Sequence, residues 1–273
     1  MSEIAQATVI GGHGFIGSHL VAELESAAVR CWVPQPDDPD LARRDLGAVF
    51  YCAGVNAAST RPGFDSQRAH IAQLASVLDG ARFDSLVYLS STRVYLDADS
   101  GDEETALRVR PLHPDQLFNI TKLAGEAICL RDPRASVRVA RVSNVFGPGA
   151  RAANFLPSIV AEAIGTGRVV LRSALDSAKD YLSIDDCVRA LIAIVERGSE
   201  RLYNVASGVN VTHAQITSVL ARATDATIEV APHSPAIVFP IIEVVRICRL
   251  VPQSTQTVLD SFADLIRTYK ETA

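Results

Sequence analysis

The glycine-rich segment at residues 11–17 constrains the fold of this chain more than any other feature of its sequence. It follows residues 7–10, which have the apolar character of a buried strand, and it precedes residues 18–28, where apolar side chains recur at helical spacing. Its GxxGxxG glycines are Gly11, Gly14 and Gly17. Between a strand and a helix, such glycines permit a tight turn, and the backbone amides at the helix N-terminus can hold a pyrophosphate. The segment therefore predicts a dinucleotide site in an α/β fold.

The first two thirds of the sequence alternate short apolar runs with helical patterns. We predict strands at residues 7–10, 30–33, 48–53, 86–90 and 137–142, and helices at residues 18–28, 65–78 and 115–131. This alternation favours a parallel sheet that is covered by helices on both faces. Residues 34–47 are too few for a crossover helix and another strand, so we expect a shortened sheet edge there.

The character of the sequence changes after Gly147. We predict helices at residues 154–164, 185–196, 212–223 and 255–269, and a strand at residues 168–171. Thr212 and Gln215 have the spacing of a capping box. Residues 236–250 form the most apolar run, but Glu243 and two arginines interrupt it, so we predict a packed helix and not a membrane span. The patterns predict two units, 1–147 and 148–273, with residues 181–200 packing back on the first.

Composition excludes several classes of function. The net charge of -5, without a basic stripe, argues against a nucleic-acid partner. The five cysteines have neither a CxxC pair nor zinc-like spacing, so we expect free thiols in a reducing compartment and no metal site. The first residues lack the basic and apolar regions of a secretory signal. We therefore expect a cytoplasmic protein that binds small molecules.

Phe118 and Lys122 indicate the chemistry most directly. Residues four apart share a helix face, so the ring at position 118 is expected beside the Lys122 ammonium. A tyrosine at this position would have its phenol acidified by that charge and could exchange a proton with a substrate. Phenylalanine has no such proton.

Segments beyond the glycine loop resemble the extended short-chain dehydrogenase/reductases, the branch of NAD-dependent sugar-nucleotide epimerases, dehydratases and reductases. The segments that carry the resemblance are residues 88–95, 118–126, 141–148, 179–186 and 203–208, and together they span most of the chain. The resemblance implies a Rossmann-type, doubly wound parallel sheet with a smaller, interleaved C-terminal substrate lobe. It also implies a homodimer formed through the helices at 65–78 and 115–131, and NAD-dependent chemistry on a nucleotide-activated sugar.

The resemblance assigns roles to individual residues. Phe118 stands in the place of the catalytic tyrosine, Lys122 contacts the nicotinamide ribose, and Ser91 binds the reacting oxygen of the sugar. The residues assigned to the dinucleotide are Gly11, Gly14, Phe15, Ile16, Gly17, Gln35, Ala53 and Lys122. The residues assigned to the substrate are Ser91, Asn144, Asn154, Arg172 and Lys179, with Arg151 and Arg168 as further candidates for its diphosphate.

The choice between NAD and NADP stays open at this stage. Gln35 stands where an acidic residue would bind the ribose diol of NAD. Asp37 and Asp38 could replace that acid, and this would favour NAD. Arg43 and Arg44 could instead receive the 2′-phosphate of NADP. We expect NAD because most of the family that the chain resembles uses it.

Two departures from the family pattern bear on the reaction. Thr92 and Arg93 replace the Asp-Glu pair of the family's 4,6-dehydratases, which disfavours elimination and favours a 4-epimerase or a 4-keto reductase. Phe118 is compatible with an engineered change, with a lineage that binds without reacting, or with a natural replacement that another group compensates. The candidates for that group are Ser91, Thr121, Tyr95 and His113. A catalytically weakened regulatory or scaffold protein is the alternative function.

Overall fold

The computed structural model describes residues 4–54, 64–113, 116–150, 154–252 and 257–272. Its strands are β1 (Gln6–Ile10), β2 (Arg30–Trp32), β3 (Ala48–Tyr51), β4 (Ser85–Ser91), β5 (Val137–Val142), β6 (Asn144–Phe146), β7 (Arg168–Leu171), β8 (Ala178–Ser183), β9 (Leu202–Val205), β10 (Asn210–Thr212) and β11 (Thr227–Val230). Its helices are α1 (Phe15–Ser26), α2 (Phe64–Gln67), α3 (Gln73–Gly80), α4 (Gln116–Arg131), α5 (Phe155–Thr166), α6 (Ile184–Arg197), α7 (His213–Thr224), α8 (Val245–Cys248) and α9 (Val258–Thr272). A π-helical turn, Arg68–Ala72, joins α2 to α3.

The main sheet confirms the predicted α/β fold. Six strands in the order β2-β1-β3-β4-β5-β9 pair in parallel throughout. The connection from β2 to β3 contains only a 3-10 turn, Pro39–Ala42, and within the described residues β2 has no outer neighbour. The predicted shortening of this edge is therefore confirmed. The helix predicted at residues 18–28 begins earlier, at Phe15, because the chain enters the first helical turn directly after Gly14.

The sheet is buried on both faces, as its apolar strands predict. On one face, Leu20 of α1 and Leu191 of α6 join a core cluster with alternate residues of β1, β3, β4 and β5. On the other face, Leu74 of α3 and Cys129 of α4 pack on the intervening strand residues. Helix α6 lies within residues 181–200 and contacts α1. The division of the chain at residue 147 stays a prediction.

The second part of the chain builds a separate core. Strands β10, β8 and β6 form a three-stranded sheet, and β11 pairs with β7. Their apolar faces pack with α5, α7 and α9 around Val160, Leu220 and Phe262. The predicted capping box is confirmed, because Gln215 N–H donates to Thr212 Oγ1 at 3.2 Å and Thr212 N–H donates to Gln215 Oε1 at 2.8 Å.

The prediction of a packed helix over residues 236–250 is wrong. Only α8 is helical, and the preceding residues form isolated bridges, Val238 with Ala178 and Ile242 with Gly101. Pro240 explains the difference, because it lacks an N–H and disfavours helical geometry in the residue before it. We refer to residues 236–244 as the strap, since they connect the two cores.

No helix in the described parts of the chain is both long and apolar enough to cross a bilayer.

Candidate active site

A cavity of about 690 Å³ lies at the carboxyl ends of β1, β4 and β5, and its walls include β6, β8, α5 and the strap. Ligands of open parallel sheets bind outside this edge, because the loops that follow the strands converge there. The predicted site residues that line the cavity are Gly14, Phe15, Ile16, Gly17, Ser91, Phe118, Lys122, Asn144, Asn154 and Lys179. The predicted residues outside this lining are Gly11, Gln35, Ala53 and Arg172.

The glycine loop is packed too tightly for side chains on its inner side. Gly11 has φ +86°, and a Cβ atom there would lie 2.7 Å from the Ala53 nitrogen. A Cβ atom at Gly17 would collide with the Gly11 carbonyl oxygen. Gly14 is less confined, since a Cβ atom would meet only the Gly11 oxygen, at 3.2 Å. Gly11 and Ala53 therefore hold the loop against the ends of β1 and β3, and Gly14 lines the cavity.

The N-terminus of α1 suits an anionic ligand. Its N-cap residue is Gly14, no side chain caps the helix, and its first turn contains no acidic residue. The first amides of a helix lack intrahelical partners and carry partial positive charge. Together with the close-packed loop, they form a cradle that fits a pyrophosphate, so these residues fit a dinucleotide.

The charged residues that could distinguish NAD from NADP already have protein partners. Asp37 forms an ion pair with Arg68, and Asp38 Oδ1 accepts the Asp40 N–H at 3.0 Å. Arg44 donates to Asp40 at 3.2 Å and lies over the Trp32 ring, while Arg43 lies 3.9 Å from Asp40. Gln35 is exposed after β2. A preference between the two cofactors therefore stays a prediction.

Ser91 and Lys122 lie on neighbouring elements of the cavity wall. Ser91 ends β4, and its Oγ accepts the Arg93 N–H at 3.2 Å. Lys122 of α4 is buried, and its ammonium donates to the Leu89 carbonyl oxygen at 2.7 Å. Burial lowers the pKa of Lys122 to about 8. This cation is thus positioned near the end of β4, at the carbonyl of the residue two positions before Ser91, and both side chains line the cavity.

Phe118 occupies the position beside Lys122 that the helical spacing predicts. The Lys122 ammonium lies 5.9 Å from the Phe118 ring centroid. The same ring makes an edge-to-face contact with His70, at 5.5 Å between centroids. Burial, and then the charge of Lys122, lowers the pKa of His70 to about 3. Position 118 therefore provides a ring but no proton, and its histidine neighbour is neutral at physiological pH.

The groups that could replace the missing phenol differ in their access to the cavity. Tyr95 is fully buried, its Oη donates to Asn204 at 2.7 Å and accepts from Arg141 at 2.8 Å, and burial raises its pKa. Thr121 donates to the Phe118 carbonyl oxygen at 3.0 Å. Neither of them lines the cavity, nor does the exposed His113. Of the four candidates, Ser91 alone lines it.

A buried polar network holds α4 against the sheet behind Lys122. Arg141 of β5 donates to both carboxylate oxygens of Glu126. Its Nη2 lies 2.7 Å from Oε2, and its Nε lies 3.1 Å from Oε1. Ser90 donates to Glu126 at 2.5 Å. No sequence pattern predicts this network, although Glu126 and Arg141 lie in two of the segments that carry the family resemblance. It fixes the helix from which Phe118 and Lys122 project.

The substrate side of the cavity combines β6, β8 and α5. Asn144 Nδ2 donates to the Asp180 carbonyl oxygen at 2.9 Å. The Lys179 ammonium lies 5.8 Å from the Phe155 ring centroid, and its pKa is lowered by burial and by the charge of Arg93. The hydroxyl of Tyr181 is buried without a hydrogen-bond partner among the described residues, and Tyr181 lines the cavity. Tyr181 is not among the site residues that the sequence predicts.

The arginines predicted for the diphosphate differ in their surroundings. Arg168 is exposed and donates to both Glu229 oxygens, at 2.9 and 2.6 Å. Arg172 is exposed and outside the cavity lining, and Arg151 lies outside the described residues. Their roles stay predictions. Arg93, for which the sequence predicts no binding role, lines the cavity.

Comparison with known proteins identifies the family. The model of the NAD dependent epimerase/dehydratase family matches residues 7–206, and this range includes the glycine loop, Ser91, Lys122 and Lys179. The chain belongs to this family. Its members are NAD-dependent enzymes that act on sugar nucleotides, and the residues of the glycine loop fit that cofactor.

Individual relatives agree with this assignment. A GDP-6-deoxy-D-mannose reductase of Pseudomonas aeruginosa is 29% identical over 252 residues, which cover 81% of each chain. A dTDP-glucose 4,6-dehydratase of Streptomyces griseus is 28% identical over 148 residues, and this match spans 52% of the chain but only 44% of that protein. The structure of MoeE5 in complex with UDP-glucuronic acid and NAD has a TM-score of 0.82 and 21% identity, and covers 98% of this chain and 100% of its own. The structural likeness shows a shared fold.

Proposed function

We propose that this protein binds NAD and a nucleotide-activated sugar and transfers hydride at C4 of the sugar, as a 4-epimerase or a 4-keto reductase with a slowed proton transfer. The supporting observation is that Ser91, Phe118 and Lys122 line one cavity with the glycine loop. A bound nicotinamide would supply the hydride acceptor and donor. The reductase relative supports chemistry on a nucleotide sugar.

We further propose that the protein acts in the cytoplasm, where its five free cysteines would stay reduced.

Each of the three residues has a distinct role in this proposal. Ser91 donates a hydrogen bond to the C4 oxygen of the sugar. Lys122 contacts the nicotinamide ribose and provides positive charge near the reacting oxygen. Phe118 fills the space of a phenol without its proton, so solvent or Ser91 must exchange the proton on the C4 oxygen, and turnover is slow.

The residues that follow Ser91 argue against a 4,6-dehydratase. Elimination of water needs an acid and a base near the sugar, and the family's dehydratases have them directly after the serine or threonine. Here Thr92 and Arg93 line the cavity at those positions, and neither side chain is a carboxylic acid. Hydride and proton exchange at C4 requires no such pair.

A second candidate function is binding without turnover. The Phe118 ring and the hydrogen-bonded Tyr95 favour it, because the first has no proton and the second is held away from the cavity. Such a protein would bind NAD and a sugar nucleotide for a regulatory or scaffolding purpose.

Restoring the tyrosine tests the proposal. We expect Phe118→Tyr to raise kcat by about 10²- to 10⁴-fold, since this is the usual contribution of a general acid/base. Nicotinamide absorbance with NAD and with NADP is followed for a panel of UDP-, dTDP- and GDP-sugars, with product analysis to detect epimers. The matched control is Phe155→Tyr, which adds a phenol to the same cavity near Lys179 and is expected to leave kcat unchanged.

The possible results separate the two functions. Slow turnover in the wild type and a large gain in Phe118→Tyr support a C4 oxidoreductase. No turnover in either protein, with binding of both ligands by calorimetry, supports the binding function. Failure of both proteins to bind NAD or NADP would overturn the dinucleotide site and both functions with it.

A further inference from the structure

We propose that Arg93 selects sugars that carry a carboxylate beside C4, so that the substrates of this site are nucleotide-activated uronic acids. This inference rests on the proposed function, because it requires a nucleotide-activated sugar in the cavity. It goes further by naming the chemical class of the sugar and the residue that recognises it.

The position of Arg93 relates it to the reacting carbon. It belongs to the 3-10 turn Thr92–Tyr95, which begins directly after β4, and its own N–H donates to Ser91 Oγ at 3.2 Å. Ser91 is the residue proposed to bind the C4 oxygen. In a hexuronic acid the carboxylate is attached to C5, the ring carbon next to C4. A group in this turn is therefore suited to contact that substituent.

Within the described residues, the guanidinium of Arg93 lacks the ion pairs that Arg141 and Arg246 have. Its Nε is buried without a hydrogen-bond partner, and within the described residues no ion pair involves Arg93. Arg141, by contrast, is paired with Glu126, and Arg246 with Glu104. Leaving a buried N–H without an acceptor is unfavourable, so such a group in a ligand cavity indicates an acceptor that the ligand supplies.

The charge balance of the cavity indicates that this acceptor is anionic. Lys179 also lines the cavity and lies close enough to Arg93 for the two positive charges to repel each other. Asp180 forms no ion pair with either of them among the described residues, because its carboxylate faces the N–H groups of Ser207, Gly208 and Val209 and accepts hydrogen bonds from them. One cation, Lys179, can pair with the diphosphate that every nucleotide sugar carries. The second, Arg93, matches the additional charge of a uronate.

The chemistry of the side chain favours a carboxylate. A guanidinium presents parallel N–H groups that match the two oxygens of a carboxylate, whereas an ammonium acts as a point charge. The same geometry can bind a phosphate, so the experiment must distinguish a contact with the sugar from a contact with the diphosphate.

Matched ligand pairs make this distinction. Calorimetry of the NAD-saturated protein compares UDP-glucuronic acid with UDP-glucose, and GDP-mannuronic acid with GDP-mannose. Within at least one pair we expect the wild type to bind the acid more tightly by about 10-fold or more, as a charge-assisted hydrogen bond provides. We expect Arg93→Gln to remove this preference and to leave the affinity for the neutral sugar unchanged. Lys179→Met is the control, and we expect it to weaken both members of a pair equally.

The outcomes are decisive for the proposal. Equal affinities of the wild type for acid and neutral sugar would overturn it, and so would an equal loss for both in Arg93→Gln, since Arg93 would then bind the diphosphate. If NAD binds but none of the four sugar nucleotides does, the proposed function is overturned as well. A thermal unfolding curve for Arg93→Gln that matches the wild type shows that the variant is folded.

Discussion

Lys122 is a buried cation for which the fold provides a single hydrogen bond, to the Leu89 carbonyl oxygen, and no ion pair among the described residues. Its ammonium also lies 5.1 Å from the Tyr88 ring centroid, a cation–π contact that offsets part of the lost hydration. Burial nevertheless lowers the pKa from 10.5 to about 8, so the charged form is less stable in the folded protein than in the unfolded chain. The charge of Lys122 therefore destabilises the fold.

The variant Lys122→Met tests whether the buried charge destabilises the fold, through the pH dependence of the free energy of unfolding. Between pH 8 and 10.5 the folded wild type has lost the proton of Lys122 while the unfolded chain retains it, so the free energy of unfolding rises with pH. At pH 7 the proton is bound in both states. We therefore expect the stability of the wild type, relative to the variant, to increase by about 2 kcal/mol from pH 7 to pH 10. Urea unfolding of both proteins at the two pH values measures this difference.

A constant difference between the proteins at both pH values would contradict the lowered pKa of Lys122. Burial raises the pKa of Cys52, the thiol that the charge of Lys122 affects, to about 12, so Cys52 keeps its proton in both folded proteins over this range. Groups that Lys122 does not affect are common to both proteins and cancel in the comparison. The same variant is expected to bind NAD about 10-fold more weakly, because it lacks the charged hydrogen-bond donor.

At the scale of the elements, α4 is held to the sheet by the pair of Glu126 and Arg141. We expect Arg141→Met to lower the free energy of unfolding by about 3–5 kcal/mol, because it leaves a buried carboxylate without its partner. Arg168→Met is the matched control. It removes an arginine from an exposed pair with Glu229, which is worth about 0–1 kcal/mol. Urea denaturation midpoints compare the two variants with the wild type.

Equal effects of the two arginine variants would show that the buried network adds nothing to the attachment of α4. A loss confined to Arg141→Met should be accompanied by weaker NAD binding, since the network fixes the helix that carries Lys122.

The elements of the main sheet could be predicted from sequence because their signals are local. Each predicted strand there is a short apolar run followed by a helical pattern or a turn signal, and the prediction for β5, residues 137–142, matches its observed bounds. Strands β6 and β10 have only three residues each, and β6 pairs with β8 across 37 residues, so no local periodicity indicates them. The helix predicted at residues 236–250 is wrong because the charges whose helical spacing indicated it, Glu243, Arg246 and Arg249, all follow Pro240, and Pro240 prevents a helix through the strap.

Only some features of the candidate site could likewise be predicted from sequence. The glycine loop, Ser91 and the Phe118–Lys122 spacing could be, because each is a short segment with its own chemistry. Which charged side chains form ion pairs could not be predicted from sequence. Arg168 pairs with Glu229, Glu126 pairs with Arg141, and Arg93 has no ion pair within the described ranges. These differences depend on contacts between residues far apart in sequence.

At the scale of the whole molecule, the cavity depends on both cores at once. The glycine loop, Ser91 and Lys122 belong to the main sheet and its helices, whereas Lys179, Phe155 and the strap belong to the second core and its border. A ligand that spans the cavity must therefore contact both parts of the chain. This arrangement explains why cofactor residues could be assigned from the first half of the sequence and the sugar could not.

The association of two whole molecules stays a prediction that the helices of the first unit make testable. Phe64 of α2 is 89% exposed, Leu112 before α4 is fully exposed, and α2 contacts α4. The dimer implied by the family resemblance would cover these two side chains, since it is formed through the helices at 65–78 and 115–131. We expect light scattering to give twice the monomer mass of 29.2 kDa for the wild type and the monomer mass for Phe64→Glu. Val238→Glu, at a site on the strap that is 58% exposed, is expected to stay dimeric. A wild type that has the monomer mass at every concentration would exclude this dimer.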